Sequence, residues 1–282
     1  MENLYFKPEL VPIVNHPKVI ERGTSVLREL LVRQLYVYLD FTENLEHRIV
    51  NQVAFNLGRS EYPIYLPRKM ELDAYKLYID EAYHAMFSAN LSHEVQLATG
   101  IKQGSLPWPS FLSALERVKG DLRSDECWLA DLIFTIVSET LITGTLTKIP
   151  GDDRIVSGVR EVIKDHADDE AVHHAYFAEI LQLVWPTLTE QQQRRIGPHI
   201  SRFVIGFLEP DYQAIVGNLR KAGFSTRESE KIMSESHPRE EVLASVAGSA
   251  SVTLRHFKNV GAFEMTEVFE PFSKCGLDKY ID

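Results

Sequence analysis

Two copies of one pattern, Asp-Glu-Ala-x-His, constrain the fold of this chain more than any other feature. The first copy spans residues 80–84 and the second spans residues 169–173. Residues three positions apart on a helix project from nearly the same side. Glu81 and His84 therefore aim a carboxylate and an imidazole at one point, and so do Glu170 and His173. The repeat predicts two helices that together hold two metal ions.

Two further residues extend this set. His166 lies four residues before Glu170 and seven before His173, which places all three on one helical stripe. Glu139 lies in an apolar stretch at residues 129–142, where a charged group must be paired, neutralised or bound to a cation. Taken alone, Glu139 could also be a buried carboxylate that is hydrogen-bonded to a helix end or to an arginine.

A fourth carboxylate is expected before Glu81, because a ferritin-like di-iron bundle combines one glutamate from each of two helices with a Glu-x-x-His from each of two others. Glu43 and Glu46 are the candidates, one turn apart. We favour Glu46, because several mostly apolar residues share its helical face: Thr42, Ile49, Val50 and Val53. The predicted fold is all-α, a ferritin-like four-helix bundle that carries a di-iron site and has additional C-terminal helices.

The donor types indicate which metals the site would hold. Four carboxylates and three imidazoles suit iron or manganese, whereas a structural zinc site more often recruits cysteine. We therefore expect two iron ions, or a manganese and iron pair. Asp80 and Asp169 are expected to accept a hydrogen bond from a ligand imidazole on the opposite helix, and the alternative is ordinary helix-surface charge.

Each motif also has a simpler interpretation. A single Glu-x-x-His on a helix is most often a solvated surface pair. The remaining histidines lack a ligand-spaced partner, and we expect them to be ordinary surface or core residues: His47, His93, His174, His199, His237 and His256.

The order Glu46, Glu81-x-x-His84, Glu139, His166-x-x-x-Glu170-x-x-His173 resembles that of the p-aminobenzoate N-oxygenase family of ferritin-like di-iron proteins. The third histidine, matched by His166, sets this family apart from the two-histidine di-iron proteins. The resemblance covers about residues 26–184. It implies oxidation of a small-molecule amine by O2 through a peroxo-di-ferric intermediate, in secondary metabolism. We also expect an external electron donor, such as a ferredoxin or a reductase, and a homodimer.

Helical patterning dominates the chain, with proline and glycine in the connections. Four long helices are predicted to carry the metal ligands, at about Ser25–Leu57, Met70–Leu97, Asp125–Thr147 and Asp152–Trp185. A short helix at Ser110–Lys119 is expected in the crossover connection. Further helices are expected to cover the bundle, at Glu190–Phe207, Pro210–Ala222, Thr226–Ser234 and Glu240–Phe257.

Length and charge narrow the class of protein. The chain has 282 residues, of which 44% are hydrophobic, so residues 7–282 can form one domain with a sizeable core. Residues 1–6 resemble the remnant of an expression tag, and we leave them out of the fold prediction. A net charge of −10 argues against nucleic acid or an anionic membrane as a partner. Two cysteines are too few for a disulfide framework, so the cytoplasm is the expected location.

The apolar window at residues 127–146 is about as long as a membrane span. It carries Asp131 and Glu139, and a charge near the centre of a bilayer costs several kcal/mol. We therefore interpret this window as a core helix of the bundle.

The substrate pocket is the least constrained feature. Candidate lining residues are apolar and could equally be core: Phe87, Val137, Ile142, Phe203 and Phe207. Arg202 is the candidate anchor for a substrate carboxylate, or else a surface residue. The segment Phe263 to Tyr280 is expected to cover the pocket or to join a dimer interface.

Two other functions fit the same motifs. One is a di-iron or manganese/iron oxidase that attacks carbon, such as a hydroxylase, a desaturase or an oxidative decarboxylase. The other is an iron-handling protein of the ferritin class. Product analysis distinguishes the first, and assembly into a cage on a sizing column would indicate the second.

Overall fold

A computed structural model of the chain describes residues 3–142 and 147–280. The regular elements within these residues are helices, and none is a strand. An isolated parallel bridge joins Leu4 to Ile155. The all-α, ferritin-like prediction is confirmed. Among the described residues, none of the helices combines the length and the apolarity that a bilayer crossing requires.

Four long helical segments form the centre of the fold. They are α1 (Thr24–Leu45), which continues through a π-helical turn (Glu46–Val50) into α2 (Asn51–Gly58), then α3 (Arg68–Thr99), α5 (Cys127–Leu141) and α6 (Ser157–Val184). Helices α1 and α2 pack along α3, and α5 packs along α6. Helices α3 and α6 contact each other across the bundle, which brings the two Glu-x-x-His motifs face to face.

The π-helical turn was not predicted. The Asn51 N–H donates to the Glu46 carbonyl five residues back, so this turn contains one residue more than an α-helical turn. A helical period of 3.6 places Glu46 on the inner face but cannot show the extra residue. Turns of this kind occur mostly inside α-helices and often at functional sites.

The starts and ends of two predicted helices differ from those observed. Helix α6 begins at Ser157 rather than Asp152. The reason is local, because the Asp152 carboxylate accepts from the Arg154 N–H in a turn and Ile155 pairs with Leu4. Helix α5 ends at Leu141, and residues 143–146 of its predicted extension lie outside the described residues.

The remaining helices cover the bundle largely as predicted. Helix α4 (Ser110–Asp121) lies in the crossover connection. The C-terminal helices are α7 (Glu190–Ile196), α8 (Ile200–Leu208), α9 (Tyr212–Lys221), α10 (Thr226–Ser236), α11 (Arg239–Asn259) and α12 (Thr266–Cys275). The prediction of one helix over Glu190–Phe207 was wrong. A 3₁₀ turn at Gly197–His199 divides it, because Pro198 has no N–H to donate to the helix.

Leu4, Tyr5 and Phe6 pack in the fold, although residues 1–6 were left out of the fold prediction. The Leu4 N–H donates to the Arg154 carbonyl at 2.8 Å, and the Val156 N–H donates to the Leu4 carbonyl at 2.9 Å. Tyr5 and Phe6 are buried in the same core as the bundle helices. Their apolar side chains stabilise the fold by burial, which a resemblance to a tag cannot reveal.

Candidate metal centre

The seven predicted ligands meet in the middle of the bundle, and each side chain is at most 1% exposed. Glu46 comes from the π-helical turn, Glu81 and His84 come from α3, and Glu139 comes from α5. Helix α6 supplies the others: His166, Glu170 and His173. Glu43 is exposed and Glu46 is buried, so the glutamate predicted from its helical face is the one that points inward.

The two Glu-x-x-His motifs interlock around the carboxylates of Glu81 and Glu170. The Nδ1 atom of His84 lies 2.9 Å from Glu81 Oε2 and 3.6 Å from Glu170 Oε1. The Nδ1 atom of His173 lies 2.8 Å from Glu81 Oε1 and 3.5 Å from Glu170 Oε1. Both imidazoles therefore present Nδ1 to the shared centre.

The third histidine joins a second group of donors. His166 Nε2 lies 3.0 Å from Glu170 Oε1 and 3.9 Å from Glu46 Oε1. Its ring centroid is 4.3 Å from that of His84. Three sets of donors lie within metal-binding reach, namely Glu81, His84, Glu170 and His173; Glu46, His166 and Glu170; and Glu46, Glu81 and Glu139. Shared carboxylates connect the sets, which is the arrangement that two neighbouring cations need.

Asp80 and Asp169 make the cross-bundle contacts that the sequence predicts. His84 Nε2 lies 3.2 Å from Asp169 Oδ2, and His173 Nε2 lies 3.4 Å from Asp80 Oδ2. Each aspartate thus contacts the imidazole of the opposite helix. An Nε2–H that donates to the aspartate leaves the Nδ1 lone pair directed at the centre, where a cation can accept it.

Contacts with histidine divide the four equally buried glutamates into two classes. Desolvation raises the pKa of Glu46 and of Glu139 well above the ordinary value, and the neighbouring carboxylates add to the effect. Burial acts the same way on Glu81, but close contacts with His173 and His84 outweigh it and lower its pKa. Burial alone would lower the pKa of His173, but contacts with Glu170 and Glu81 raise it to about 12.

Many polar atoms of the centre have no hydrogen-bond partner with good geometry, even where a charged neighbour is close. They are both carboxylate oxygens of Glu46 and of Glu139, Glu81 Oε1, Glu170 Oε2 and His173 Nδ1. Buried polar atoms normally have a partner, and leaving one unpaired costs about 1–3 kcal/mol. Cations held between these oxygens and nitrogens would satisfy them together. The donor set therefore fits a pair of iron or manganese ions.

A cavity of about 340 Å³ reaches the helix that leads to Glu46, although none of the seven candidate ligands lines it. Tyr38 and Thr42 line it, and together with Glu46 they form a stripe with a spacing of four residues along α1 and the π-helical turn. The stripe connects the cavity wall to a candidate ligand. Sequence reasoning missed Tyr38 as a lining residue, although the spacing before Glu46 is visible in the sequence.

The pocket predictions were partly correct. Ile142 and Phe207 line the cavity. Phe203 packs in the core against Phe134, and Val137 is fully buried without lining the cavity. Phe87 instead packs on the centre itself, with its ring 5.3 Å from that of His84.

Two other pocket predictions were made with alternatives, and in both the structure does not place the residues at the cavity. Arg202 does not line the cavity, because it is exposed and pairs with Asp121 at 3.3 Å. The C-terminal segment does not cover the cavity either. Helix α12 packs instead on α8 and on the turn at Gly197–His199.

Comparison with known proteins identifies relatives. The family model described as P-aminobenzoate N-oxygenase AurF matches residues 1–259. The 4-aminobenzoate N-oxygenase of Streptomyces thioluteus is 23% identical to this chain, over 97% of this chain and 77% of that protein. The match begins at residue 1, in agreement with the packing of Tyr5 and Phe6 in the core.

Proposed function

Since the chain belongs to the p-aminobenzoate N-oxygenase family and is an oxygenase, we propose that it binds two iron ions and uses O2 to oxidise the nitrogen of a small-molecule amine. One observation carries this proposal: seven side chains that can ligate a metal are buried together, and many of their polar atoms lack a hydrogen-bond partner with good geometry. Such a cluster is costly for folding unless cations occupy it.

The chain's own residues divide the work. Glu81, His84, Glu170 and His173 would hold one ion, and Glu46 and His166 would join Glu170 around the other. Two ferrous ions would supply the two electrons by which O2 places one oxygen atom on an amine nitrogen and leaves the other as water. Asp80 and Asp169 fix the two imidazoles that they contact, and the cavity beside Tyr38 and Thr42 admits the amine.

The third histidine favours an oxygenase over an iron-handling protein. His166 contacts Glu170 at 3.0 Å and would occupy a position that iron in transit needs open. A neutral imidazole also adds a donor without adding negative charge. A cavity of about 340 Å³ has the size of a small-ligand site, which iron storage does not require.

Product analysis separates oxidation at nitrogen from oxidation at carbon. The protein would be loaded anaerobically with ferrous iron, mixed with ¹⁸O2 and an arylamine, and the products would be identified by mass spectrometry. We expect a hydroxylamine, or a more oxidised nitrogen product, that contains ¹⁸O. A product hydroxylated at carbon with its amine intact would contradict the proposal.

A pair of histidine variants tests the role of the third histidine in the same assay. His166→Ala is expected to retain the helical fold, to bind less iron and to yield little oxidised amine. His93→Ala removes an exposed histidine of α3 and should behave like the unmodified protein. Equal product from both variants would show that His166 has no part in the reaction.

Other expectations stay predictions. They are the identity of the metals, the peroxo-di-ferric oxidant, the electron donor, the homodimer, the cytoplasmic location and the role in secondary metabolism. Manganese paired with iron also suits the same donors.

A further inference from the structure

The cavity of about 340 Å³ has an uneven set of charged residues. The charged lining residues are Asp40, Lys148, Glu209 and Asp211. Glu209 forms an ion pair with Arg239, and the Asp211 carboxylate caps α9 by accepting from the Ala214 N–H at 2.9 Å. Two of the three carboxylates therefore already have partners within the fold.

Asp40 is the carboxylate without a cation. Among the described residues, no lysine, arginine or histidine nitrogen forms an ion pair with its half-buried side chain, and the neutral amide of Asn44 is its hydrogen-bonding neighbour. Desolvation raises the pKa of Asp40, and the nearby Glu43 adds to the effect. Arg48 acts in the opposite sense but is engaged elsewhere, with its guanidinium donating to Asn44 and lying over the Trp108 ring.

Three aromatic rings form an apolar part of the cavity wall, and Tyr38 and Thr42 add two hydroxyls to the lining. Phe41 packs against Phe111 and Phe207, with ring centroids 4.7 and 5.2 Å apart, and all three rings line the cavity. Thr42 is 1% exposed and its hydroxyl has no hydrogen-bond partner with good geometry. The Tyr38 hydroxyl is also buried, with Thr42 as its hydrogen-bonding neighbour. An apolar wall with two hydroxyls fits a ring or a short chain that carries a polar group.

We propose that the substrate is a small amine with a second, positively charged group, and that Asp40 is the residue that selects it. The amine to be oxidised would lie at the Thr42 end, and the distal ammonium would bind the Asp40 carboxylate. This inference rests on the proposed function. A cavity of about 340 Å³ accommodates one ring with substituents at opposite ends.

Two features favour a cation over an anion at this position. Lys148 is the one described lysine or arginine that lines the cavity, and its side chain is exposed, so water weakens its hold on an anion. Asp40 is partly removed from water, so a cation beside it both pairs with the carboxylate and relieves its desolvation. A charge-assisted hydrogen bond of this kind is stronger than one between neutral groups.

Binding measurements test the inference apart from turnover. Three anilines that differ in their para group serve as probes: 4-aminobenzylamine, 4-methylaniline and 4-aminobenzoate. Each would be titrated calorimetrically into the metal-loaded protein without oxygen. The cationic probe is expected to bind at least tenfold more tightly than the neutral one, and the anionic probe more weakly than both.

Variants assign the effect to Asp40. Asp40→Asn should remove the preference for the cation while leaving binding of 4-methylaniline unchanged. Glu43→Gln removes the same charge from an exposed position of the same helix and should keep the preference. Lys148→Gln should have little effect on the cationic probe.

The outcomes distinguish this inference from the proposed function. Selective, Asp40-dependent binding of the cation without any oxidation under oxygen would leave the inference standing and overturn the N-oxygenase proposal. Oxidation of all three probes with no Asp40-dependent preference would support the N-oxygenase proposal and overturn the inference about Asp40. Tightest binding of 4-aminobenzoate, lost in Lys148→Gln, would show that the site selects an anion.

Discussion

Four glutamates of one centre differ because their neighbours differ. Glu81 contacts two imidazoles and its pKa is lowered, whereas Glu139 lies among apolar side chains and carboxylates and its pKa is raised. In the metal-free protein, burial therefore favours the protonated forms of Glu46 and Glu139 more than the unfolded chain does. Their burial opposes folding until cations bind.

The variant Glu139→Gln tests this balance through pH. The ordinary pKa of Glu139 is 4.5 and its folded value lies well above. Folded metal-free protein therefore binds more protons than unfolded protein above about pH 4.5, and the free energy of unfolding decreases as the pH rises, by up to about 1.4 kcal/mol per pH unit for each such group. After chelation, Glu139→Gln should be more stable than the unmodified protein at pH 8 and should show a shallower decline between pH 5 and pH 8.

Denaturant unfolding of chelated samples across that pH range measures the difference. The same variant should fail to take up two iron ions. Glu139→Gln thus raises the stability of the metal-free protein but lowers its capacity for iron. Equal slopes for the two proteins would show that Glu139 is ionised in the metal-free fold.

Asp169 offers a second test at the scale of single residues. Asp169→Asn keeps the shape but removes the charge that holds His84, so metal affinity should fall by roughly 10–100-fold with little change in helix content. Asp168→Asn is the matched control, because Asp168 is the preceding residue, is exposed and pairs with Lys164. Competition with a calibrated chelator gives both affinities. Equal metal affinities for the two variants would show that Asp169 is an ordinary surface charge with no part in metal binding.

At the scale of elements, the sequence predicted which segments are helical and which faces look inward. The two ligands of a Glu-x-x-His motif, three positions apart, show which face of the helix points inward. Glu46 could be chosen over Glu43 from its mostly apolar neighbours alone. The π-helical turn at Glu46–Val50 could not be predicted, because one extra residue in a long apolar pattern leaves no separate periodic signal. The division at Gly197–His199 was predictable, since proline following glycine is a known break.

Gly197 gives the prediction that belongs to this scale. A Cβ atom there would overlap Val268 of α12, which is fully buried and β-branched and so has little freedom to move. Gly197→Ala should lower the free energy of unfolding by about 1–3 kcal/mol, because α12 must shift. Gly248 lies exposed within α11 with no neighbouring atom in the way, so Gly248→Ala should stabilise the protein by up to about 1 kcal/mol.

Thermal or denaturant unfolding of the two glycine variants makes the comparison direct. Both substitutions place alanine in a backbone conformation that alanine adopts readily, so only packing separates them. A neutral result for Gly197→Ala would mean that α12 is loosely docked.

At the scale of the whole molecule, chemistry was more predictable than shape. The seven candidate ligands were identified because metal ligation demands particular residue types at particular spacings. The cavity was largely missed, because its walls include residues of α1, α4, α8 and α11, and no local pattern records which distant side chains meet. The packing of Tyr5 and Phe6 was missed for the same reason, since the bridge from Leu4 to Ile155 joins segments far apart in the chain.

The metal content of the folded chain tests the central claim most directly. Metal-free protein would be titrated anaerobically with ferrous iron, desalted and analysed for metal and protein. The buried cluster predicts about two iron ions per chain, because seven ligands exceed what one ion uses. One zinc ion per chain with no uptake of iron, or no bound metal in a fully folded protein, would contradict the account.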